Sequence, residues 1–547
     1  MRVAEAVGRT LGMLGVQQVF GVVGSGNFHV TNALIAGGAR FVAGRHEHGA
    51  TTMGDAYSRI TGEVSAVSLH QGCGLTNAMT PITEAVKSRT PLLILTADTP
   101  PTNKQSNFWI DQANAVVALG AEVERVHSPE TAVADAARAY RRAILERRTV
   151  VLNLPLDVQE LDVGWTPDAV PTLPERLVAG PSCAGVERLA EMLAAARRPI
   201  LVAGRGALDA RGELESLAEA CGALVTTSAV ARGLFAGSPW YLDVMGGFST
   251  PIAAELITQA DIIVSFGASL NRWTTRGGTL LRGATVAQVD LDVDAIGYHY
   301  PVDLGVVGDV AEVASSVTEA LKATSKESTG YQSEEVRARI ATGCRWQDVP
   351  FDDTSTGDRI DPRTLTIALD TLLPSERIVV PDGGNVVGYP AMFLTVPDAG
   401  GYCLPMAFQS IGLSLGATVG SAIAAPDRTA IAGVGDGGFM MSLTELDTAV
   451  RLALPLVVVV YNDEAYGAEL HHFEPEGAPV DTVMFPETDI AAIARGFGCH
   501  AVTVRRSEDL ASVGDWVVGA RDAPLVIDAK ITSFPSWVLE HAFAGNE

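Results

Sequence analysis

Residues 428–469 (RTAIAGVGDGGFMMSLTELDTAVRLALPLVVVVYNDEAYGAE) constrain the fold more than any other stretch of this chain. An apolar run, 430–434, leads into the turn-forming residues 435–438 (GDGG). After a segment of helical pattern, a second apolar run, 456–460, leads to Asn462-Asp463. We interpret this pattern as strand, helix and strand, a unit whose crossover makes its two strands parallel and adjacent. The chain is therefore predicted to be an α/β protein built on parallel sheets.

Two carboxylates follow these strands, at the edge where open α/β sheets bind ligands. Asp436 and Asp463 each come after an apolar run, and glycines at 435, 437 and 438 let backbone amides approach an anion closely. Carboxylate oxygens are ligands that hard cations such as Mg²⁺ prefer, together with phosphate oxygens. A lone GDG also occurs in ordinary turns. The full strand and helix context favours a site in which a metal ion holds a diphosphate.

The spacing is similar to the cofactor signature of thiamine-diphosphate-dependent enzymes: Asp463, the second member of an N-[ND] pair, lies 27 residues after Asp436. Within that family, the chain most resembles the 2-oxo acid decarboxylase and acetolactate synthase group. The second metal ligand in this group is usually asparagine, and here it is Asp463. The extra charge still suits a hard cation, so Mg²⁺ is expected and Ca²⁺ remains possible. The metal ligands implied by the resemblance are Asp436, Asp463 and Ala465.

Composition excludes several other classes of protein. A chain of 547 residues is too long for one core, and 47% hydrophobic with 19% charged residues is typical of an enzyme with large buried sheets. A net charge of −25 argues against a nucleic-acid partner. No apolar run approaches the ~20 residues that span a bilayer, the first residues do not resemble a signal peptide, and the six cysteines are scattered. We expect a cytoplasmic protein without a membrane partner.

Strand and helix patterns alternate in three sets, which predicts three doubly wound parallel-sheet domains. The resemblance names them a pyrimidine-binding domain (1–165), a middle domain (180–325) and a diphosphate-binding domain (355–547). Prolines between 167 and 181 and a polar stretch at 322–333 mark the linkers. The middle domain contains only two glycines of a G-x-G-x-x-G fingerprint, so we favour a tight packing turn over a dinucleotide site and expect no FAD.

Glu47 is the candidate for activating the cofactor. It lies in RFVAGRHEHGA (40–50), at a predicted strand-to-helix turn, and its RHE-x-x-A pattern is similar to the family's glutamate segment. The resemblance implies that Glu47 gives a proton to a ring nitrogen of the aminopyrimidine, an acid–base role. The alternative is an ordinary glutamate at a helix N-terminus, where the helix dipole favours it.

The stretch FQSIGLSLGATVG (408–420) resembles the pyruvate decarboxylase segment that bends the cofactor. By that resemblance Ile411 is an apolar wedge and the Gln409 carbonyl receives the aminopyrimidine amine, although core packing is the commoner fate of an isoleucine. Residues after the strand RIVVP would contact the diphosphate. The full set of cofactor contacts implied by the resemblance is Glu47, Asn77, Gly383, Gly384, Asn385, Gln409, Ile411, Gly435, Asp436, Gly437, Gly438, Asp463, Tyr466, Gly467 and Ala468.

Candidate substrate residues come from the first domain. VSLHQGCGLTNAM (67–79) resembles a stretch of benzoylformate decarboxylase and places His70 on its catalytic histidine; Ser25 falls on a serine of that enzyme. A histidine at the end of a buried strand is often only structural, but His70 is predicted at the ligand-binding edge of a sheet. The second catalytic histidine of that enzyme has no counterpart here, since Thr274 stands near its position. NFWIDQ resembles a stretch of benzaldehyde lyase, which adds Asn107 and Phe108.

A last pair follows the metal motif. Residues 468, 469 and 472 share one face of a helix that is predicted to begin near Tyr466. The resemblance places Glu469 on a glutamate of pyruvate decarboxylase, and His472 would add a polar group one turn later. A solvated helix face with ordinary charges is the alternative.

Together these patterns predict an enzyme that uses thiamine diphosphate and Mg²⁺ to decarboxylate a 2-oxo acid, with an aldehyde or ketone as a possible acceptor in a carboligation. Two alternatives stay open: an acetolactate-synthase-type carboligase that condenses two 2-oxo acids, and a subunit that binds the cofactor without catalysis. Because Glu47 and Asp436 lie on different domains, the resemblance implies a homodimer or homotetramer with shared sites.

Overall fold

Three parallel β-sheets organise the chain in a computed structural model that describes residues 1–175, 178, 180–323 and 330–542. Each sheet has helices in its connections, and every strand pair is parallel. The predicted class of three parallel-sheet α/β domains is therefore confirmed, while the exact domain boundaries stay predictions. None of the helices in the described ranges is long and apolar enough to cross a bilayer.

The first sheet has the strand order β2-β1-β3-β4-β6-β5. Its strands are β1 (Gln18–Gly21), β2 (Arg40–Ala43), β3 (Ser65–Leu69), β4 (Leu92–Asp98), β5 (Glu122–Arg125) and β6 (Thr149–Pro155). Its helices are α1 (Val3–Leu14), α2 (Phe28–Ala36), α3 (Glu47–Thr61), α4 (Cys73–Asn77), α5 (Met79–Lys87), α6 (Gln112–Ala118), α7 (Ala132–Leu145) and α8 (Leu156–Gln159).

The middle sheet has the order β12-β11-β10-β7-β8-β9. Its strands are β7 (Pro199–Ala203), β8 (Leu224–Thr227), β9 (Tyr241–Val244), β10 (Ile262–Phe266), β11 (Thr285–Asp290) and β12 (Leu304–Val307). The helices of this part are α9 (Cys183–Ala195), α10 (Arg211–Cys221), α11 (Pro251–Thr258), α12 (Arg272–Thr275), α13 (Val310–Ala323) and α14 (Glu334–Gly343). Much of the predicted linker 322–333 lies outside the described residues.

The third sheet has the order β13-β14-β15-β17-β16. Its strands are β13 (Arg377–Pro381), β14 (Thr429–Gly435), β15 (Val457–Asn462), β16 (His500–Val504) and β17 (Leu525–Lys530). Its helices are α15 (Pro362–Leu372), α16 (Gly388–Phe393), α17 (Ser414–Ala424), α18 (Asp436–Ser442), α19 (Glu445–Arg451), α20 (Gly467–Phe473), α21 (Ile490–Phe497), α22 (Ala511–Val518) and α23 (Trp537–Ala542).

Two strands at sheet edges, β5 and β9, lack the apolar run that predicts a buried strand. β5 reads EVER and β9 reads YLDV, so neither is the continuous apolar run that marks a strand buried on both faces. The helix predicted after GDGG is two helices, α18 and α19. The turn glycines of the middle domain pack loop on loop, because a Cβ at Gly206 would lie 2.9 Å from the Gly267 Cα. Such a contact is expected of a tight packing turn, and the absence of FAD stays a prediction.

The first and third domains pack through α3 and α17, both almost fully buried. A Cβ at Gly420 would lie 2.8 Å from the Met53 Cα, so a residue without a side chain is required for this close approach. Glu445 of the third domain accepts hydrogen bonds from the backbone N–H groups of Arg45 and His46, each at 3.1 Å. These contacts fix the start of α3, where Glu47 lies.

Candidate active site

The glycine-rich turn and the second aspartate meet at the carboxyl edge of the third sheet. β14 and β15 are parallel neighbours, with Gly435 opposite Tyr461 at their ends. Asp436 is the first residue of α18, and Asp463 follows β15 directly. The strand–helix–strand prediction is confirmed. A pocket opens between the strand ends, and its lining residues are Gly383, Gly384, Asn385, Val386, Ile411, Gly435, Asp436, Gly437, Gly438, Asp463, Ala465, Tyr466, Gly467, Ala468 and Glu469.

Both aspartates carry a buried oxygen without a hydrogen-bond partner, Oδ1 of Asp436 and Oδ2 of Asp463. Burial raises the pKa of Asp436 to about 6. Burial and the nearby Asp436 raise the pKa of Asp463 to about 7. Two buried carboxylates with orphaned oxygens fit a divalent cation, which would neutralise both.

Further ligands would have to be oxygens of other kinds, since the described residues contain no cluster of three or more His, Cys, Asp or Glu side chains arranged for a metal. Ala465 lines the pocket beside the aspartates, so its backbone carbonyl and diphosphate oxygens are suitable donors. The donor set is all oxygen, as Mg²⁺ and Ca²⁺ prefer.

The pocket walls depend on glycine. A Cβ at Gly437 would lie 2.7 Å from the Tyr466 ring, and a Cβ at Gly467 would lie 2.6 Å from Oδ2 of Asp463. Gly384 has a φ of 81°, a left-handed conformation that favours glycine. A side chain at any of these positions would strain the turn or fill the space where a phosphate would bind. The residues present therefore fit a diphosphate held by a metal ion.

Asn385 connects this pocket to the C-terminal segment. Its Nδ2 donates to the Phe534 carbonyl at 2.8 Å, and its Oδ1 accepts from the Ser536 N–H at 2.7 Å. The side-chain amide is thus committed within the protein. A contact between Asn385 and the diphosphate would come from its backbone.

Ile411 lines the pocket and is only partly buried. A Cβ added at Gly438 would lie 3.2 Å from its Cγ2, so the isoleucine projects over the glycine turn. This position favours the wedge interpretation over core packing. Gln409 lies two residues earlier, is exposed, and has a φ of 60°. Such a conformation is uncommon outside glycine and is frequent at functional sites.

A second group of candidate residues lies on the first domain. Glu47 is half-buried at the first position of α3 and accepts a hydrogen bond from Nδ2 of Asn77, 3.0 Å from its Oε2. A Cβ added at Gly74 would lie 3.4 Å from Oε1 of Glu47 and 3.1 Å from the Cβ of His70. Glu47 and His70 therefore flank the same glycine, in the first turn of helix α4.

The geometry of His70 fixes its tautomer. Its Nδ1 lies 2.9 Å from the carbonyl oxygen of Gln71. Because a carbonyl only accepts, Nδ1 carries the hydrogen and Nε2 of the neutral ring holds the lone pair. Nε2 faces Oγ of the exposed Ser25 at 3.5 Å, and the Phe108 ring packs edge-on at 4.8 Å between centroids. Asn107, which precedes Phe108 in the chain, is exposed.

Of the two candidates on α20, Glu469 and His472, only Glu469 lines the pocket. Glu469 is exposed and lines the pocket, whereas His472 is exposed and does not line it. His472 packs edge-on against Phe473 instead, at 4.7 Å between ring centroids. Tyr466 precedes α20 and packs edge-on against Phe485 at 4.7 Å. Thr274, near the expected position of a second histidine, is buried in α12.

The structure thus gathers the candidates into two half-sites. The diphosphate half-site consists of third-domain residues alone, and none of Glu47, Asn77, His70 and Ser25 lines its pocket. The other group, Glu47, Asn77, His70 and Ser25, lies on the first domain, and we call it the pyrimidine half-site after its predicted role.

Sequence reasoning did not predict how these half-sites are held in place. Asp382 is fully buried and accepts hydrogen bonds from the backbone N–H groups of Gly412 and Leu413, at 2.9 and 3.3 Å. Burial raises its pKa to about 6. Gln112 accepts from the Gly72 N–H at 2.7 Å and thereby fixes the turn next to His70. The sequence contains one indication of such a role, a polar residue directly after an apolar strand, as at Asp382.

Three parallel α/β domains with a glycine-walled pocket at the carboxyl edge of a sheet are typical of enzymes that bind a diphosphate cofactor. Comparison with known proteins gives the family. Residues 1–116, 186–317 and 382–529 match the N-terminal TPP binding domain, the central domain and the C-terminal TPP binding domain of thiamine pyrophosphate enzymes.

Three relatives illustrate the range of the matches. A probable 2-ketoarginine decarboxylase of Pseudomonas aeruginosa is 30% identical over 528 residues, 92% of this chain and 89% of the relative. A sulfoacetaldehyde acetyltransferase of Rhodobacter capsulatus is 29% identical, covering 93% and 90%. The acetolactate synthase large subunit of Corynebacterium glutamicum is 26% identical, covering 96% and 86%. The chain belongs to the thiamine-diphosphate-dependent enzyme family, in its 2-oxo acid decarboxylase and acetolactate synthase-like group.

Proposed function

We propose that this enzyme decarboxylates a 2-oxo acid with thiamine diphosphate and Mg²⁺. The observation that carries the proposal is the arrangement around Gly74, where Glu47 and His70 lie side by side and Asn77 holds the glutamate. When bound, the cofactor would supply a nucleophilic carbon that attacks the keto carbon of the substrate and accepts the electrons left when CO₂ departs.

The third domain binds and orients the cofactor. Asp436, Asp463 and the carbonyl of Ala465 would hold Mg²⁺, and through it the diphosphate. The half-buried Ile411 would pack against the bound cofactor, and the exposed Gln409 would accept a hydrogen bond from the aminopyrimidine amine at its carbonyl. Binding at both ends fixes the reactive carbon in one place, which is a large part of the rate enhancement in such reactions.

The first domain moves protons. Glu47 would hold a proton at the ring nitrogen of the aminopyrimidine, and its hydrogen bond from Asn77 fixes the carboxyl group for that contact. His70 has a free Nε2 lone pair toward Ser25, so it can take a proton and return it to the carbon from which CO₂ has left. Protonation of that carbon gives an aldehyde as the product. Addition to a second aldehyde or ketone instead gives a hydroxyketone.

A complete site would combine the pyrimidine half-site of one copy with the diphosphate half-site of another. The support is that no first-domain residue lines the diphosphate pocket within the chain. We therefore propose a homodimer, or a homotetramer made of two such dimers. A cytoplasmic location remains a prediction.

The test is a panel of 2-oxo acids incubated with the purified protein, thiamine diphosphate and Mg²⁺. The panel includes pyruvate, benzoylformate and 5-guanidino-2-oxopentanoate, and both CO₂ and the organic product are measured. We expect CO₂ and an aldehyde or hydroxyketone from at least one acid. The absence of both from every acid tested would refute the proposal.

An acetolactate-synthase-type carboligase is the second candidate, favoured by the 26% identity to an acetolactate synthase over 96% of the chain. Product analysis separates the decarboxylase from the carboligase, since a carboligase of this type would release a 2-hydroxy-2-alkyl-3-oxo acid and little aldehyde. A purified protein with bound FAD would also support the second candidate.

A further inference from the structure

Residues 407–412 form a short segment that carries both proposed aminopyrimidine contacts, Gln409 and Ile411. The segment contains no helix or strand, and Phe408 and Gln409 are exposed. Gln409 has a φ of 60°, a conformation that persists only where the surrounding structure enforces it. Something outside the segment must therefore hold it in place.

Two buried carboxylates hold its two ends. At the C-terminal end, Asp382 accepts from the N–H of Gly412 at 2.9 Å. At the N-terminal end, Glu84 of helix α5 accepts from the N–H of Ala407 at 2.9 Å and of Phe408 at 2.6 Å. Asp382 belongs to the third domain, but Glu84 belongs to the first. The first domain thus anchors a third-domain segment directly beside Gln409.

Glu84 is buried, and hydrogen-bond donors surround its carboxylate. Its side chain is 1% exposed, and it forms an ion pair with Arg59, whose NH2 lies 2.7 Å from Oε1. Arg59 also pairs with the buried Asp55 at 2.6 Å and donates to the Leu404 carbonyl at 2.8 Å. A buried carboxylate is costly unless donors satisfy it, and here both oxygens are occupied. Charge-assisted bonds of this kind are short and directional.

We propose that Glu84 is a positioning residue: through the backbone of Ala407 and Phe408 it fixes Gln409 and Ile411 for the aminopyrimidine of the cofactor. This role rests on the proposed function. The diphosphate pocket includes Ile411 but no residue of 404–410, and Asp382 still holds Gly412 next to Ile411. Loss of Glu84 should therefore misplace Gln409 and the aminopyrimidine and leave metal–diphosphate binding intact. Misplacement by about 1 Å is enough to cost on the order of 100-fold in rate.

The test compares Glu84→Gln and Glu84→Ala with the control Glu124→Gln. Glu124 is also a buried first-domain carboxylate, paired with Arg138 at 2.8 Å, but it lies on the edge strand β5 and bonds no residue of 407–412. Three quantities are measured: amide hydrogen exchange at 404–412 in the apoprotein, binding of Mg²⁺ with inorganic pyrophosphate, and hydrogen–deuterium exchange at C2 of bound thiamine diphosphate.

For both Glu84 variants we expect faster amide exchange at 404–412 and unchanged pyrophosphate binding. C2 exchange should fall by roughly tenfold in Glu84→Gln and roughly 100-fold in Glu84→Ala. The control should match the wild type in all three. C2 exchange at the wild-type rate in both Glu84 variants would overturn the proposal. An equal loss of C2 exchange in Glu124→Gln would also overturn it.

Two further outcomes are informative. If both Glu84 variants fail to fold, wild-type amides at Ala407 and Phe408 must still exchange slowly, and fast exchange there would overturn the proposal. If the wild type does not accelerate C2 exchange at all, the proposed function fails, while the amide exchange still tests the anchor.

Discussion

Nδ2 of Asn77 lies 3.0 Å from Oε2 of Glu47, and this hydrogen bond joins the end of helix α4 to the start of helix α3. The contact fixes the rotamer of a carboxyl group that is only half-buried. A proton-transfer group is effective only when it is held within hydrogen-bond reach of its partner. Asn77 is therefore as much a part of the pyrimidine half-site as Glu47.

Replacing Glu47 by Gln should remove the acid that activates the aminopyrimidine. We expect decarboxylation to fall by about 10²- to 10⁴-fold, the range for loss of an acid–base group. Asn77→Ala should show a smaller loss, because Glu47 remains but is no longer fixed. Steady-state decarboxylation rates with saturating cofactor test both variants. Equal losses of rate in Glu47→Gln and Asn77→Ala would contradict a purely positioning role for Asn77.

Asp463 gives a prediction about the metal. Asp463→Asn introduces the residue usual in the family and removes one negative charge, so it should still bind Mg²⁺ and Ca²⁺, each less tightly than the wild type. We expect a shift on the order of tenfold in the Ca²⁺ affinity, because charge count tunes hard-cation sites. Calorimetric titration in the presence of thiamine diphosphate measures it. Asp436→Ala is the comparison and should lose both metals.

His70 and Ser25 should separate substrate chemistry from cofactor activation. His70→Ala should lower the steady-state rate of aldehyde formation by about 10²-fold or more, since the proton donor to the carbon that CO₂ has left is lost. C2 exchange of the cofactor should stay at the wild-type rate because Glu47 is unchanged. Ser25→Ala should have a milder effect, because its 3.5 Å contact with His70 is long. Loss of C2 exchange in His70→Ala would contradict this assignment.

Sharing of the site between copies predicts complementation. Glu47→Gln and Asp436→Ala subunits should each be inactive alone, but a mixed dimer would contain one site with both native half-sites. Co-refolding or co-expression of the two should recover about a quarter of wild-type activity if subunits mix at random. No recovery, despite mixed dimers detected by mass spectrometry, would contradict a shared site.

The sequence predicted those features that are local in the chain. The turn at 435–438 and Asp463 belong to one strand–helix–strand unit, so their spacing alone brought them together. The positions of Glu84 and Glu445 could not be predicted, because each contacts backbone N–H groups more than 300 residues away. Such contacts leave no periodic pattern. The exposure of His472 likewise depends on how α20 packs, which the residue order does not reveal.

Hydrogen–deuterium exchange at C2 of thiamine diphosphate measures cofactor activation without any assumption about the substrate, and it is therefore the decisive test of the proposed site. The purified protein is mixed with Mg²⁺ and thiamine diphosphate, quenched in acid at short times and analysed by NMR. We expect exchange much faster than in buffer, and a return toward the buffer rate in Glu47→Gln. An exchange rate in the wild type equal to that of the free cofactor, with binding demonstrated, would contradict this expectation.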